Sequence, residues 1–153
     1  MNIIKMVMAE EKYAELMREL ISSLEAKDID KALSLCTEDV RFVTPFGTFE
    51  GKEEVRRLLE WMSGNVQDMN YTENGAGIIL QDDKAAYEHT LTGKYDGEEI
   101  EILMICTYQF RDGKIKELHY TMDTLELAKQ ASEGFFSEKM VNTVYKQVRK
   151  GLD

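Results

Sequence analysis

The side chains in this sequence with chemistry beyond ordinary surface charge are two histidines, two cysteines and seven tyrosines. Three of them, His89, Tyr108 and Tyr120, fall in strand-like segments at positions whose parity turns them toward a common side, with Cys106 among them. An imidazole kept neutral by desolvation can take a proton near neutral pH. A phenol can donate to a ligand carbonyl or a developing oxyanion. The competing expectation for each is a core role: a histidine hydrogen-bonded to a tyrosine or a backbone carbonyl, and tyrosines packed as aromatic wall. His119 has the opposite parity to Tyr120. With no His/Asp cluster, neither metal nor cofactor is expected. Cys36 and Cys106 lack metal-ligand or C-x-x-C spacing and are expected as reduced, buried thiols.

These residues must be positioned by strands, and the period of two is clear. Ala85 to Tyr95 places Tyr87, His89 and Leu91 on one face. Glu98 to Phe110 places Ile102, Met104, Cys106 and Tyr108 together, and Lys114 to Asp123 does so for Leu118, Tyr120 and Met122. Asp96-Gly97 and Asp112-Gly113 read as hairpin turns, so the three strands form a curved antiparallel meander. Asn70 to Leu80 precedes them as a strand loosened by Gly75 and Gly77. Odd positions of 87–91 and even positions of 104–108 and 118–122 are expected to converge on one hollow.

Upstream, Ala9 to Ala26 has an apolar helical stripe, and Asp28 caps a short helix whose buried side carries Ile29, Ala32, Leu33 and Cys36. Val40, Phe42 and Thr44 alternate in a strand that must stop at Pro45, the only proline. Phe46-Gly47 turns the chain, and Gly51 releases it into a helix with the apolar stripe Val55, Leu58, Leu59 and Met62, Trp61 lying slightly off its axis. Thr44, Phe46 and Trp61 are therefore candidates for the mouth of the hollow, with Leu91, Met104, Cys106, Leu118 and Met122 as its wall. Asp123 stands either at its rim or as cap of a helix from Thr124. Downstream, Ser137 reads as the N-cap of a last helix, with Phe136 and Val141 as a hydrophobic staple.

The chain has 153 residues, 43% apolar and 31% charged, which fits one domain with one core. Its core spans about 9–131, with 132–153 as a C-terminal helical extension. A formal charge of −10, from 29 acidic and 19 basic residues, argues against nucleic acid and anionic membrane as partners. No apolar run approaches a membrane span, and the N-terminal stretch lacks the pattern of a signal peptide, so a cytoplasmic location is expected.

Lys27-Asp-Ile-Asp30, Thr37-Glu-Asp-Val40, Thr44-Pro-Phe-Gly47, Phe49-Glu-Gly51 and Asp112-Gly-Lys-Ile115 with Glu117 and Asp123 resemble the NTF2-like superfamily, its SnoaL-like branch above all. The resemblance implies an α+β cone: a curved antiparallel sheet wrapped around N-terminal helices, with a pocket at the wide end and dimerisation through the sheet's outer face. It also implies where catalytic groups stand in enzymes of the superfamily. The base position of ketosteroid isomerases holds Thr44 here, and their oxyanion donors fall near Leu20 and Cys106. The cyclase acid position holds Tyr120. None of these can replace the missing acid, so neither activity transfers directly. Three readings stay open: a homodimeric domain binding a small, largely apolar molecule; a cofactor-independent isomerase, lyase or cyclase using His89 with Tyr108 or Tyr120; and a protein–protein adaptor whose interior is filled by its own side chains.

Overall fold

The computed structural model describes residues 3–132 and 134–150, with side chains from 10 to 132 and from 137 to 150. Both Asp-Gly dipeptides form the tight turns their types require: Asp96 and Gly97 have φ of 52° and 89°, Asp112 and Gly113 of 53° and 72°. In the hairpin before them only Asp82, at φ 54°, takes a positive φ. The elements in chain order are α1 (Ile3–Glu25), α2 (Ile29–Ser34), β1 (Cys36–Thr44), β2 (Gly47–Glu50), α3 (Gly51–Asn65), β3 (Val66–Gln81), β4 (Lys84–Tyr95), β5 (Glu98–Arg111), β6 (Lys114–Met122), α4 (Thr124–Gln130) and α5 (Gly134–Val148).

The six strands form one sheet in the order β2-β1-β6-β5-β4-β3. Neighbours from β3 to β6 are antiparallel, as expected of a meander, but β1 lies parallel to β6. That pairing also relocates Cys36. The Ile115 amide donates to Leu35 O at 2.9 Å and Cys36 pairs with Ile115, so the residue opens β1 instead of lying on α2. Ser137 likewise lies inside α5, which begins at Gly134, so it is not the N-cap. The staple expected from Phe136 lies outside the described side chains.

Curvature has a local cause in β3. Its register with β4 shifts between Gln67 and Asn70, where Asp68 has φ 51°, and again between Glu73 and Ile78, where Gly75 and Gly77 have φ 55° and 60°. Each shift is a bulge that bends the strand and deepens its twist. Opposite the first bulge, Gly93 leaves no room for a side chain. A Cβ there would stand 2.8 Å from Gln67 O and 3.1 Å from Val66 Cγ1. Gly93→Ala should therefore destabilise by about 1–3 kcal/mol through overpacking against a backbone oxygen, more than the reduced freedom of the unfolded chain returns. Urea unfolding of the pair of proteins checks this.

Inside the bend, the core forms between α1, α3 and the concave sheet face. β5 alternates strictly, burying Ile100, Ile102, Met104, Cys106, Tyr108 and Phe110. Met17 and Leu20 of α1 and Val55 of α3 are 0% exposed. Tyr13 stacks on Phe110 with ring centroids 4.1 Å apart. On the rim, α4 is tied to β5 by Gln130, whose side chain accepts from the Glu101 amide at 2.7 Å and donates to its carbonyl at 3.1 Å. Among the described residues no helix is long and apolar enough to cross a membrane.

Candidate functional site

Core strands and helices leave two adjoining hollows in the cone. The inner one, about 30 Å³, lies between α1 (Leu20, Ile21, Leu24) and the sheet, with Phe42, Tyr71, His89, Cys106, Tyr108 and Leu118 around it. The outer one, about 40 Å³, opens beside Phe46 and Trp61 and is lined by Leu91, Ile100, Ile102 and Met122 among others. Met62, Met104 and Tyr120 belong to both walls. Each hollow has room for one or two waters, far from the 300–1,000 Å³ of an ordinary ligand pocket. A larger depression of about 410 Å³, edged by Asp68, Lys94, Glu99 and Glu101, is an open surface feature away from these groups.

His89 is 1% exposed. Its ring is held edgewise by Tyr71 and Tyr87, at centroid distances of 5.3 and 4.6 Å. Nε2 stands 3.8 Å from Cys106 Sγ, while Nδ1 has no hydrogen-bond partner among the described residues. Burial lowers its pKa from 6.5 to about 4, so the imidazole is neutral at pH 7. Tyr108 and Tyr120 are also buried, and neither hydroxyl has a partner of ordinary hydrogen-bond geometry. Burial pushes Tyr120 up to about 12, tempered by the Thr44 hydroxyl, and lifts Tyr108 well above 10. Both phenols keep their protons and remain donors. Burial likewise raises Cys106 to about 12, with Tyr108 opposing, so the group is a thiol and a poor nucleophile.

The structure thus brings His89, Tyr108, Tyr120, Met104, Cys106 and Leu118 around the inner hollow, and Phe46, Trp61, Leu91 and Met122 around the outer one. Two candidates stand elsewhere. Thr44 lines neither wall and meets the site only through the Tyr120 hydroxyl; its own hydroxyl also closes the β1–β2 turn, donating to Gly47 O at 3.0 Å and accepting from the Phe46 amide at 3.1 Å. Asp123 is exposed and caps α4, accepting from the amides of Leu125 and Glu126 at 3.0 and 2.9 Å. Sequence parity missed Tyr71, because the bulge at Asp68 resets the alternation ahead of it. Only its pairing with Leu91 shows that it faces inward. Met62, one turn beyond Leu58 on α3, was legible as part of the helical stripe but not as a shared wall.

Among the described residues no Asp, Glu, Lys or Arg side chain lines either hollow. Chemically the arrangement offers one uncharged imidazole and two protonated phenols at the end of a carbon-lined space. That set can hold an oxygen atom by hydrogen bonds, and it has no group to balance a charge.

The family model of the SnoaL-like domain matches residues 17–118. No curated protein matches the chain by sequence. Solved structures share its fold at low identity. A protein of ketosteroid isomerase-like fold from Catenulispora acidiphila, solved in complex with trimethylamine, superposes with a TM-score of 0.70 at 14% identity, covering 76% of this chain and 92% of its own. An NTF2-like protein of unknown function from Burkholderia pseudomallei gives 0.72 at 17% identity, covering 80% and 98%. An epoxide hydrolase of the LEH-like type from M. tuberculosis gives 0.68 at 15%, covering 88% and 97%.

Proposed function

This chain belongs to the SnoaL-like domain family, and on that footing we propose that it binds a small, largely apolar molecule inside the cone. The observation that carries this reading is that three buried polar atoms on residues lining one hollow, His89 Nδ1 and the Tyr108 and Tyr120 hydroxyls, make no hydrogen bond of ordinary geometry among the described residues, the phenols having only the Cys106 thiol and the Thr44 hydroxyl as weak neighbours. An unmade hydrogen bond at a buried group costs about 1–3 kcal/mol, so three around one space call for an occupant that completes them. Trimethylamine in a protein of the same fold supports small-molecule binding, though this chain offers an ammonium no carboxylate. A thermal-shift screen of small hydrophobic carbonyl compounds and alcohols should raise the melting temperature, and Tyr108→Phe with Tyr120→Phe should weaken the effect. No shift across the whole set would remove the support for binding.

One observation favours a second reading: a neutral imidazole beside two phenols can also exchange a proton. His89 would take it from a carbon next to a carbonyl while Tyr108 or Tyr120 holds the enolate oxygen. Loss of α-deuterium from a bound ketone, abolished in His89→Gln while thermal stabilisation persists, would establish that step.

For assembly we propose a homodimer through the convex sheet face. Leu103 and Ile105 of β5 are 51% and 46% exposed there, beside Thr90 and Thr121 on the adjacent strands. Neighbouring exposed apolar side chains on a flat strand surface suit a partner. Sedimentation velocity should give a dimer for the native chain and a monomer for Leu103→Glu/Ile105→Lys; a native monomer would exclude it. The two buried, unpaired cysteines suit a reducing compartment, and a cytoplasmic location follows from that on this reading.

A further inference from the structure

The two hollows differ in kind. The inner one is bordered by His89, Tyr108 and Tyr120, the last of which also borders the outer one. The outer one is bordered almost wholly by carbon and ends at Phe46 and Trp61, which are 47% and 43% exposed and pack edge to face at 5.4 Å. Three side chains border both, Met62, Met104 and Tyr120. Methionine side chains are unbranched, have three rotatable bonds and change rotamer without leaving polar atoms stranded. The two methionines are therefore the side of the partition that can swing aside, with the buried Tyr120 ring as its fixed side, whereas a β-branched pair in their place would close it.

We infer, resting on the binding function proposed above, that the hollows are the two ends of one channel for a slim, uncharged amphiphile. Its single oxygen function, a ketone, aldehyde or primary alcohol, sits among His89, Tyr108 and Tyr120, and its unbranched hydrocarbon tail passes Met62 and Met104 to Trp61. The reverse orientation would bury the oxygen among carbon and leave both phenols unsatisfied. A carboxylate or ammonium head is disfavoured because no ionised side chain among the described residues lines either end. A second polar group along the tail would likewise find no partner in the outer hollow. Width is limited too, since the passage is only what two displaced thioether chains leave open.

Trp61 is the only tryptophan in the sequence, so its emission reports arrival of the tail at the mouth. The test uses primary alcohols from butanol to dodecanol below their solubility limits, read by melting temperature and by Trp61 fluorescence. Butanol should stabilise the protein and leave the emission unchanged; beyond a threshold chain length the emission should shift to the blue. Dodecanoate and dodecylammonium should bind at least about tenfold more weakly than dodecanol, and cyclododecanol should not bind. Met62→Phe should erase the Trp61 response to alcohols longer than the threshold. Should that variant fail to fold, Met62→Ala should admit branched alcohols that the native chain rejects. Stabilisation with no length threshold, or equal affinity for charged or cyclic probes, would overturn the channel and leave the binding function standing. No stabilisation by any alcohol or ketone would overturn both.

Discussion

Leu20→Ala should lower the free energy of unfolding by about 3 kcal/mol, within the 2–5 kcal/mol that buried leucines cost on truncation. Leu20 is 0% exposed, sits in the α1 stripe and forms part of the inner wall. Its removal subtracts buried methyl groups and enlarges a space that is already imperfectly filled, so surrounding side chains gain little by collapsing into it. The loss should be partly reversible from outside. An apolar solute that fits the enlarged hollow should raise the melting temperature of the variant more than that of the native chain, because it replaces contacts the native chain still makes. Urea unfolding with and without hexanol measures both quantities. A cost under about 1 kcal/mol would mean that α1 does not pack on the sheet as described.

The second large effect is acid destabilisation through His89. Its pKa is about 4 in the folded state against 6.5 unfolded, a depression caused by burial. Above pH 6.5 the imidazole is neutral in both states, and stability is undiminished. As the pH falls from 6.5 toward 4 the unfolded chain takes up a proton that the folded chain refuses, so stability falls. Below the folded pKa both states are protonated and this group adds no further loss. Over that window the total is about 3 kcal/mol, from roughly 1.4 kcal/mol per pKa unit. His89→Leu should remove this slope while costing little at pH 7, since it exchanges a poorly partnered polar ring for carbon of similar size. Asp39 also contributes to acid sensitivity, because Arg111 holds its carboxyl below the usual range, but its loss comes at lower pH. Subtracting the stability curve of His89→Leu from that of the native chain isolates the histidine. A difference curve flat between pH 4 and 6.5 would show that His89 meets water in solution.

Much of the fold was legible because single residues dictate it. Pro45 ends β1 where a ladder donor is lost, the Asp-Gly pairs demand positive φ, and β5 alternates without interruption. From those features the shared face of His89, Cys106, Tyr108 and Tyr120 could be read with no coordinates. What escaped was non-local. The parallel pairing of β1 with β6 depends on where two distant segments meet, and it turned Cys36 from a helix residue into a strand residue. Tyr71 was hidden because a bulge breaks the count that parity relies on. Asp123 could serve a rim or a helix start from its position alone, and only the amides of Leu125 and Glu126 decide between them. Nor does a pattern of strands reveal how far α1 sinks into the cone, which is what sets the volume left inside.

The sheet has two free margins, and they are guarded differently. β2 is only four residues long, too short to template another strand. β3 is sixteen residues long and would be a hazard if it were straight. Its two irregularities interrupt the row of outward amides and carbonyls, and Asp68 and Glu73 add repulsion between copies brought edge to edge. Deleting Asn74, Gly75 and Ala76 would remove the three extra residues between Glu73 and Ile78, straighten the outer part of the strand and lengthen the row of amides and carbonyls open to a second copy, a start for fibrous self-association.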